Sequence, residues 1–89
     1  MDKKENTIAL YEYWISKYEE TYGIKYMTGR RTYELALFKT LKNKYNYNLV
    51  SKATDKYFAT TKKDKAFVME FAWKFDDLFK DLIEEEKNG

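Results

Sequence analysis

Proline is absent from all 89 residues, and the three glycines stand at 23, 29 and 89. Proline and glycine are the residues that break a helix from within. With neither available along most of the chain, an all-α domain is expected. The apolar periodicity agrees. Ile8, Tyr11, Trp14, Ile15, Tyr18 and Tyr22 recur at helical spacing and form one stripe, with Glu12, Ser16, Glu19 and Glu20 beside or behind it. This predicts a first helix over 7–22. Asn6 or Thr7 is placed to cap its start, and Gly23 stands where a left-handed C-terminal residue is wanted.

Residues 24–30 read as a connector, with Tyr26 and Met27 as its anchors to the core. A second helix over 31–45 presents Leu37, Phe38, Leu41 and Tyr45 on its apolar face. Asn46-Tyr47-Asn48 is a turn, and Asn48 is placed to cap a third helix over 48–58 that buries Leu49, Val50, Ala53, Tyr57 and Phe58. Residues 59–65 form a polar connector in which Thr61 and Asp64 make a weakened capping box. The fourth helix, 64–86, is the longest. Phe67, Phe71, Phe75, Leu78 and Leu82 line it, and Val68, Ala72, Phe79 and Ile83 widen the stripe enough to meet two neighbours. Glu84-Glu85-Glu86 is expected to fray, because acids at a helix C-terminus oppose the macrodipole. The expectation is a compact four-helix domain spanning 1–89, with 1–5 and 87–89 frayed.

A domain of this size buries one small core, and six Phe, nine Tyr and two Trp supply large apolar area per residue for it. No cysteine is present, which removes disulfides and thiolate chemistry, and no histidine, which removes the commonest general base and zinc ligand. Ser16 and Ser51 are the only serines, with nothing of the common kind to activate them, and there is no glycine-rich phosphate loop. The chain is therefore expected to be non-catalytic and free of cofactor or metal. Asp77 and Asp81 lie one turn apart, but without histidine or a glycine-bearing calcium loop they are not read as a metal site. No signal peptide or membrane span is recognised, so a cytoplasmic location is expected, with no membrane partner.

Charge is the feature that speaks to function. The net charge is +2, yet residues 30–65 hold ten Lys or Arg against three acids, and residues 66–89 hold three Lys against seven acids. A basic centre beside an acidic tail is an electrostatic footprint for an anionic partner. On the second helix Arg31, Leu35, Lys39 and Lys42 share one side, flanked by Thr32 and Asn43. Arg30, Lys52, Lys56, Lys62, Lys63 and Lys65 extend the patch. Such a surface suits phosphate contacts, with charge from Lys and Arg and neutral hydrogen bonds from Thr and Asn. An ordinary solvated face is the plain alternative. On the fourth helix Trp73 falls opposite the apolar stripe, on one side with Met69, Asp76, Asp77 and Lys80. A large aromatic there is either a hot spot for a protein partner or part of a second core under the first helix. Tyr13 has the same two readings. The acids at 76, 77, 81 and 84–86 fit an imitation of a phosphate backbone, and more simply a solvated terminus.

The order of landmarks is itself informative. Trp14 and Tyr18 precede Tyr22-Gly23-x-x-Tyr26, then come Gly29-Arg30, a Leu/Lys-rich helix ending in Lys44-Tyr45, Ala53-x-x-x-Tyr57-Phe58, a Lys-rich connector and an aromatic-Leu helix. This resembles small helical domains encoded by phages and other mobile elements of low-GC bacteria, several of them attached to replication or DNA-binding proteins. The stretch from Gly29 to Tyr45 is about one helical turn longer than that pattern, and Arg31 stands where an acid is usual, so no site residue is carried over. The resemblance implies a DNA-binding accessory protein acting in replication or its control. The other reading is a protein–protein module, an inhibitor or adaptor of a host or replisome protein, docking through Trp73 and the acidic fourth helix.

Overall fold

Trp14 has no solvent exposure, and the rest of the molecule is arranged around it. Residues 7–61 and 66–88 are described by a computed structural model, and among them all regular structure is helical. Helix α1 (Thr7–Tyr22) turns Leu10, Tyr11 and Trp14 inward. Leu10 takes the place expected of Ile8, which is 49% exposed. Leu10 precedes Trp14 by four residues and shares its face, whereas Ile8 lies about 120° round the helix, at the edge of the stripe. The chain then turns at Gly23, whose φ of +71° is the left-handed C-terminal conformation expected of it. In the connector Tyr26 packs against the core as expected, but Met27 is 83% exposed and anchors nothing.

Helix α2 (Arg31–Lys44) buries Phe38 and Leu41 against its neighbours, with the Tyr11 and Phe38 rings 5.6 Å apart. Tyr45, expected within the helix, is its C-cap. Helix α3 (Tyr47–Thr60) begins one residue earlier than expected and is capped by Asn46 rather than Asn48. The Asn46 side chain accepts the Leu49 N–H at 2.8 Å. To do so Asn46 adopts φ 150°, ψ 171°, a region that non-glycine residues seldom occupy. Thr61 closes α3 as its C-cap instead of opening the next helix, and Asp64 lies outside the described residues.

The expected long fourth helix is two. Helix α4 (Val68–Trp73) and helix α5 (Phe75–Asn88) are separated by Lys74 at φ −90°, ψ 2°. No glycine or proline causes the break. Packing does: α4 lies on α2, through Phe71 against Phe38 at 5.7 Å, while α5 lies on α3. The broad stripe does meet two neighbours, but one bend sends each half to its own. Among the described residues the fold thus has five helices rather than four. Ala66 and Phe67 precede α4, so Phe67, expected in the core, is 40% exposed in extended conformation. At the other end α5 runs on through Glu84–Glu86 to Asn88. Lys87 complements the dipole in its last turn, and Glu85 is held by Lys56.

The centre is a cluster of rings. Trp14 meets Phe58 at 4.9 Å, Tyr26 at 5.0 Å and Phe71 at 6.2 Å, and Phe71 meets Tyr57 at 5.2 Å and Phe75 at 5.7 Å. Tilted and edge-on pairs of this kind add to the area they bury. Trp14 Nε1–H has no hydrogen-bond partner among the described residues.

Candidate nucleic-acid interface

One carboxylate organises the end of the molecule where the basic segment begins. Glu34 is the only acid of α2 and is turned inward, 6% exposed. Its position four residues before Phe38 puts it on the apolar face. Three hydroxyls satisfy it: Tyr11 donates to Oε1 at 2.6 Å, and Tyr26 and Thr28 donate to Oε2 at 2.9 and 3.2 Å. Thr28 Oγ1 also accepts the Arg30 N–H at 3.0 Å, fixing the entry to α2.

Two of the phenols in the core do a second task. The Tyr26 hydroxyl accepts the Val68 N–H at 3.2 Å, and the Tyr57 hydroxyl accepts the Phe67 N–H at 3.2 Å while donating to Glu70 Oε1 at 2.8 Å. Helix α4 has no side-chain cap of its own. Its first amides are capped instead by two phenols from distant parts of the chain, each backed by a carboxylate. Burial first, then the hydrogen bond to a glutamate, pushes the Tyr11 and Tyr57 phenols far above their ordinary pKa. Burial likewise raises Tyr26, with Glu34 adding to it. All three stay protonated and able to donate.

With Glu34 inside, the outward side of α2 carries cations alone. Arg30, Arg31, Lys39 and Lys44 are exposed and Lys42 is half-buried. None of the five is ion-paired among the described residues. The Arg31 guanidinium sits 5.1 Å from the Tyr11 ring centroid and Lys44 Nζ 5.4 Å from that of Tyr45, which positions both without neutralising them. Three other lysines differ. Lys17 pairs with Glu20 and Asp55, Lys74 with Glu70, and Lys56 with Glu85 at 2.6 Å. Lys56 was expected in the phosphate-binding patch, but the Glu85 contact occupies its ammonium and raises its pKa. Lys52 is exposed on α3, and Lys62 and Lys63 lie outside the described residues. At the start of α2 an open depression of about 570 Å³ is lined by Thr28, Gly29, Arg30, Arg31, Thr32 and Tyr33.

The second candidate surface is partly assembled. Trp73 is 70% exposed, which excludes a second core under α1. Its ring partner is Phe67 at 6.5 Å. Met69 is half-buried, while Asp77 and Lys80 are exposed. Asp76 accepts the Tyr45 hydroxyl at 2.5 Å and raises that phenol's pKa, so it serves the α2–α5 contact. Tyr13 is similarly committed: its hydroxyl donates to Asp55 at 2.5 Å, which together with burial pushes its pKa up to about 12.

Sequence reasoning overlooked Glu34 and Tyr33 and placed Phe67 in the core. For Glu34 a signal existed, an acid at an apolar-face position of a helix that follows two tyrosines. Phe67 became legible only with the true start of α4. No helix among the described residues is long and apolar enough to cross a membrane. No protein-family model, no curated protein and no solved structure matches the chain.

Proposed function

We propose that this chain is a small non-catalytic DNA-binding accessory protein of a phage or mobile element, acting in replication or its control. The biological setting comes from the resemblance in landmark order. The binding surface comes from α2 and its N-cap, where Arg30, Arg31, Lys39, Lys42 and Lys44 stand without carboxylate partners among the described residues, while Lys17, Lys56 and Lys74 are paired. That run of five cations without carboxylate partners along one helix is the observation that carries the reading. Cations free of carboxylate partners are able to displace counterions from a phosphate backbone. Lysines on a helix face act as point charges and contact backbone rather than base edges.

The test is a binding titration of duplex DNA at several salt concentrations. Changing Arg31, Lys39 and Lys42 to Ala is expected to weaken binding to all duplexes alike and to flatten the salt slope by up to about three charges' worth. Wild-type protein with no salt-sensitive DNA binding near physiological ionic strength would end this reading. The second reading, an inhibitor or adaptor of a host or replisome protein, draws on the exposure of Trp73. It predicts an interface that is insensitive to salt and abolished by Trp73→Ala.

A further inference from the structure

The Phe67–Trp73 pair carries no charge for phosphate contact, yet both of its rings reach the surface. The rings meet edge to face, with planes at 80°, and are 40% and 70% exposed. They add little to the core, which α4 fills with the fully buried Val68 and Phe71. Their position is informative. Phe67 is the N-cap of α4, and three successive hydrogen bonds join that helix end to the rim of the basic depression. Val68 N–H donates to the Tyr26 hydroxyl at 3.2 Å, Tyr26 donates to Glu34 Oε2 at 2.9 Å, and Thr28 Oγ1 donates to the same oxygen at 3.2 Å. Thr28 shares that rim with Arg30 and Arg31, whose guanidinium groups have no carboxylate partner among the described residues. The start of α4, with Phe67 and the Trp73 ring beside it, is thus tied to the rim that carries the two guanidinium groups. The acids Asp76 and Asp77 follow the break at Lys74, and Asp76 is held by Tyr45 at the end of α2 opposite Arg31.

Cations beside open aromatic faces match one class of anion, a nucleic-acid strand with free bases. In a duplex the base faces are stacked on one another. Only an unpaired base has a face to offer to a ring. We propose that this end of the chain binds single-stranded nucleic acid, with Arg30 and Arg31 on phosphate and an unpaired base stacked on Trp73 beside Phe67. The strand runs from Trp73 toward α2, away from the acids of α5. This rests on the nucleic-acid reading above and narrows it from phosphate backbones in general to unpaired strands.

The experiment compares a labelled oligothymidylate of roughly 20 nucleotides with a duplex of matched length. The proteins are the full chain, Trp73→Ala, Trp73→Phe and Arg30→Ala/Arg31→Ala. Because Trp73 is exposed, its variants are expected to keep the wild-type thermal midpoint. Single strand is expected to bind tighter than duplex. Trp73→Ala is expected to weaken single-strand binding roughly 5- to 150-fold and to leave duplex binding unchanged. Trp73→Phe restores most of the affinity but abolishes the quenching of tryptophan emission by the strand. The arginine pair weakens both substrates. If Trp73→Ala leaves single-strand affinity intact, or weakens both substrates equally, the stacking proposal is overturned while the phosphate-binding reading stands. If neither substrate binds in a salt-sensitive way, both fall, and loss of a salt-insensitive protein complex on Trp73→Ala would assign the pair to a protein partner instead.

Discussion

Replacing Glu34 with Gln keeps the side-chain volume and removes the charge, which isolates what the carboxylate does. The carboxylate accepts from Tyr11, Tyr26 and Thr28. Hydrogen bonds to a charged group contribute about 1.5–3 kcal/mol and neutral ones about 0.5–1.5 kcal/mol, so neutralising the acceptor of three donors loses about 1 kcal/mol at each. An amide also turns a donor toward one of the hydroxyls. The best placement faces Tyr11 and leaves a buried phenol proton without an acceptor, at a further cost of about 1–3 kcal/mol. Against this, a buried amide is cheaper to desolvate than a carboxylate. The net expectation for Glu34→Gln is a loss of about 3 kcal/mol, or a fall in Tm of roughly 12–24 °C for a domain of this size. Urea unfolding followed by circular dichroism measures it, with an unchanged m-value showing that the native fold persists. Tyr11→Phe is the internal control. It removes one donor and keeps the ring, so it should cost less than Glu34→Gln. A Glu34→Gln loss below about 0.5 kcal/mol, or a larger loss for Tyr11→Phe, would refute Glu34 as the hub of this network.

Further expectations follow from the core, a turn and the phenols. Phe71 is fully buried among Trp14, Phe38, Tyr57 and Phe75, and Phe71→Ala should cost about 3–5 kcal/mol in chemical denaturation; a thermal midpoint within a few degrees of wild type would contradict that placement. At Gly23 an added Cβ meets nothing within 4 Å, so Gly23→Ala should cost only the left-handed backbone, about 1 kcal/mol, and Gly23→Asn less. The pKa of Tyr13, raised to about 12 by its hydrogen bond to Asp55, and those of Tyr11, Tyr26, Tyr45 and Tyr57, all raised, tie stability to alkaline pH. These groups hold their protons more tightly folded than unfolded, so their stabilisation is complete below pH 10 and is lost as pH rises through the folded values. Absorbance at 295 nm should show part of the tyrosinate forming only as the chain unfolds above pH 10, and complete ionisation of a still-folded protein would argue against these bonds.

The helical class, the connector at 23–30 and most of the ring cluster were legible in the sequence, because spacing alone puts Trp14, Phe38, Tyr57 and Phe71 on inward faces. The break at Lys74 was not. No residue near it disfavours a helix, and the bend exists because α2 and α3 pull the two halves to different sides. The cap of α3 was misassigned for a local reason: Asn46 and Asn48 are both good capping residues, and only the backbone angles of Asn46 decide between them. For the candidate site, the basic stripe was legible as charge but not as availability. Nothing in the sequence pairs Lys56 with Glu85, 29 residues away, or tells that Arg31 would remain unpaired over Tyr11.

The phenol caps of α4 make its formation depend on distant parts of the chain. Six residues are far too few to hold a helix alone in water. The groups that fix its first amides come from Tyr26 and Tyr57, brought there only when α1, the connector and α3 have already met. Helix α4 is therefore expected to form late on the folding path, so that changes to it act mainly on the rate of unfolding. The amides of Phe67 and Val68 become reporters of that last step. Their hydrogen exchange should quicken in Tyr57→Phe before the rest of the molecule opens, and the tryptophan that α4 displays should be the first to sense it.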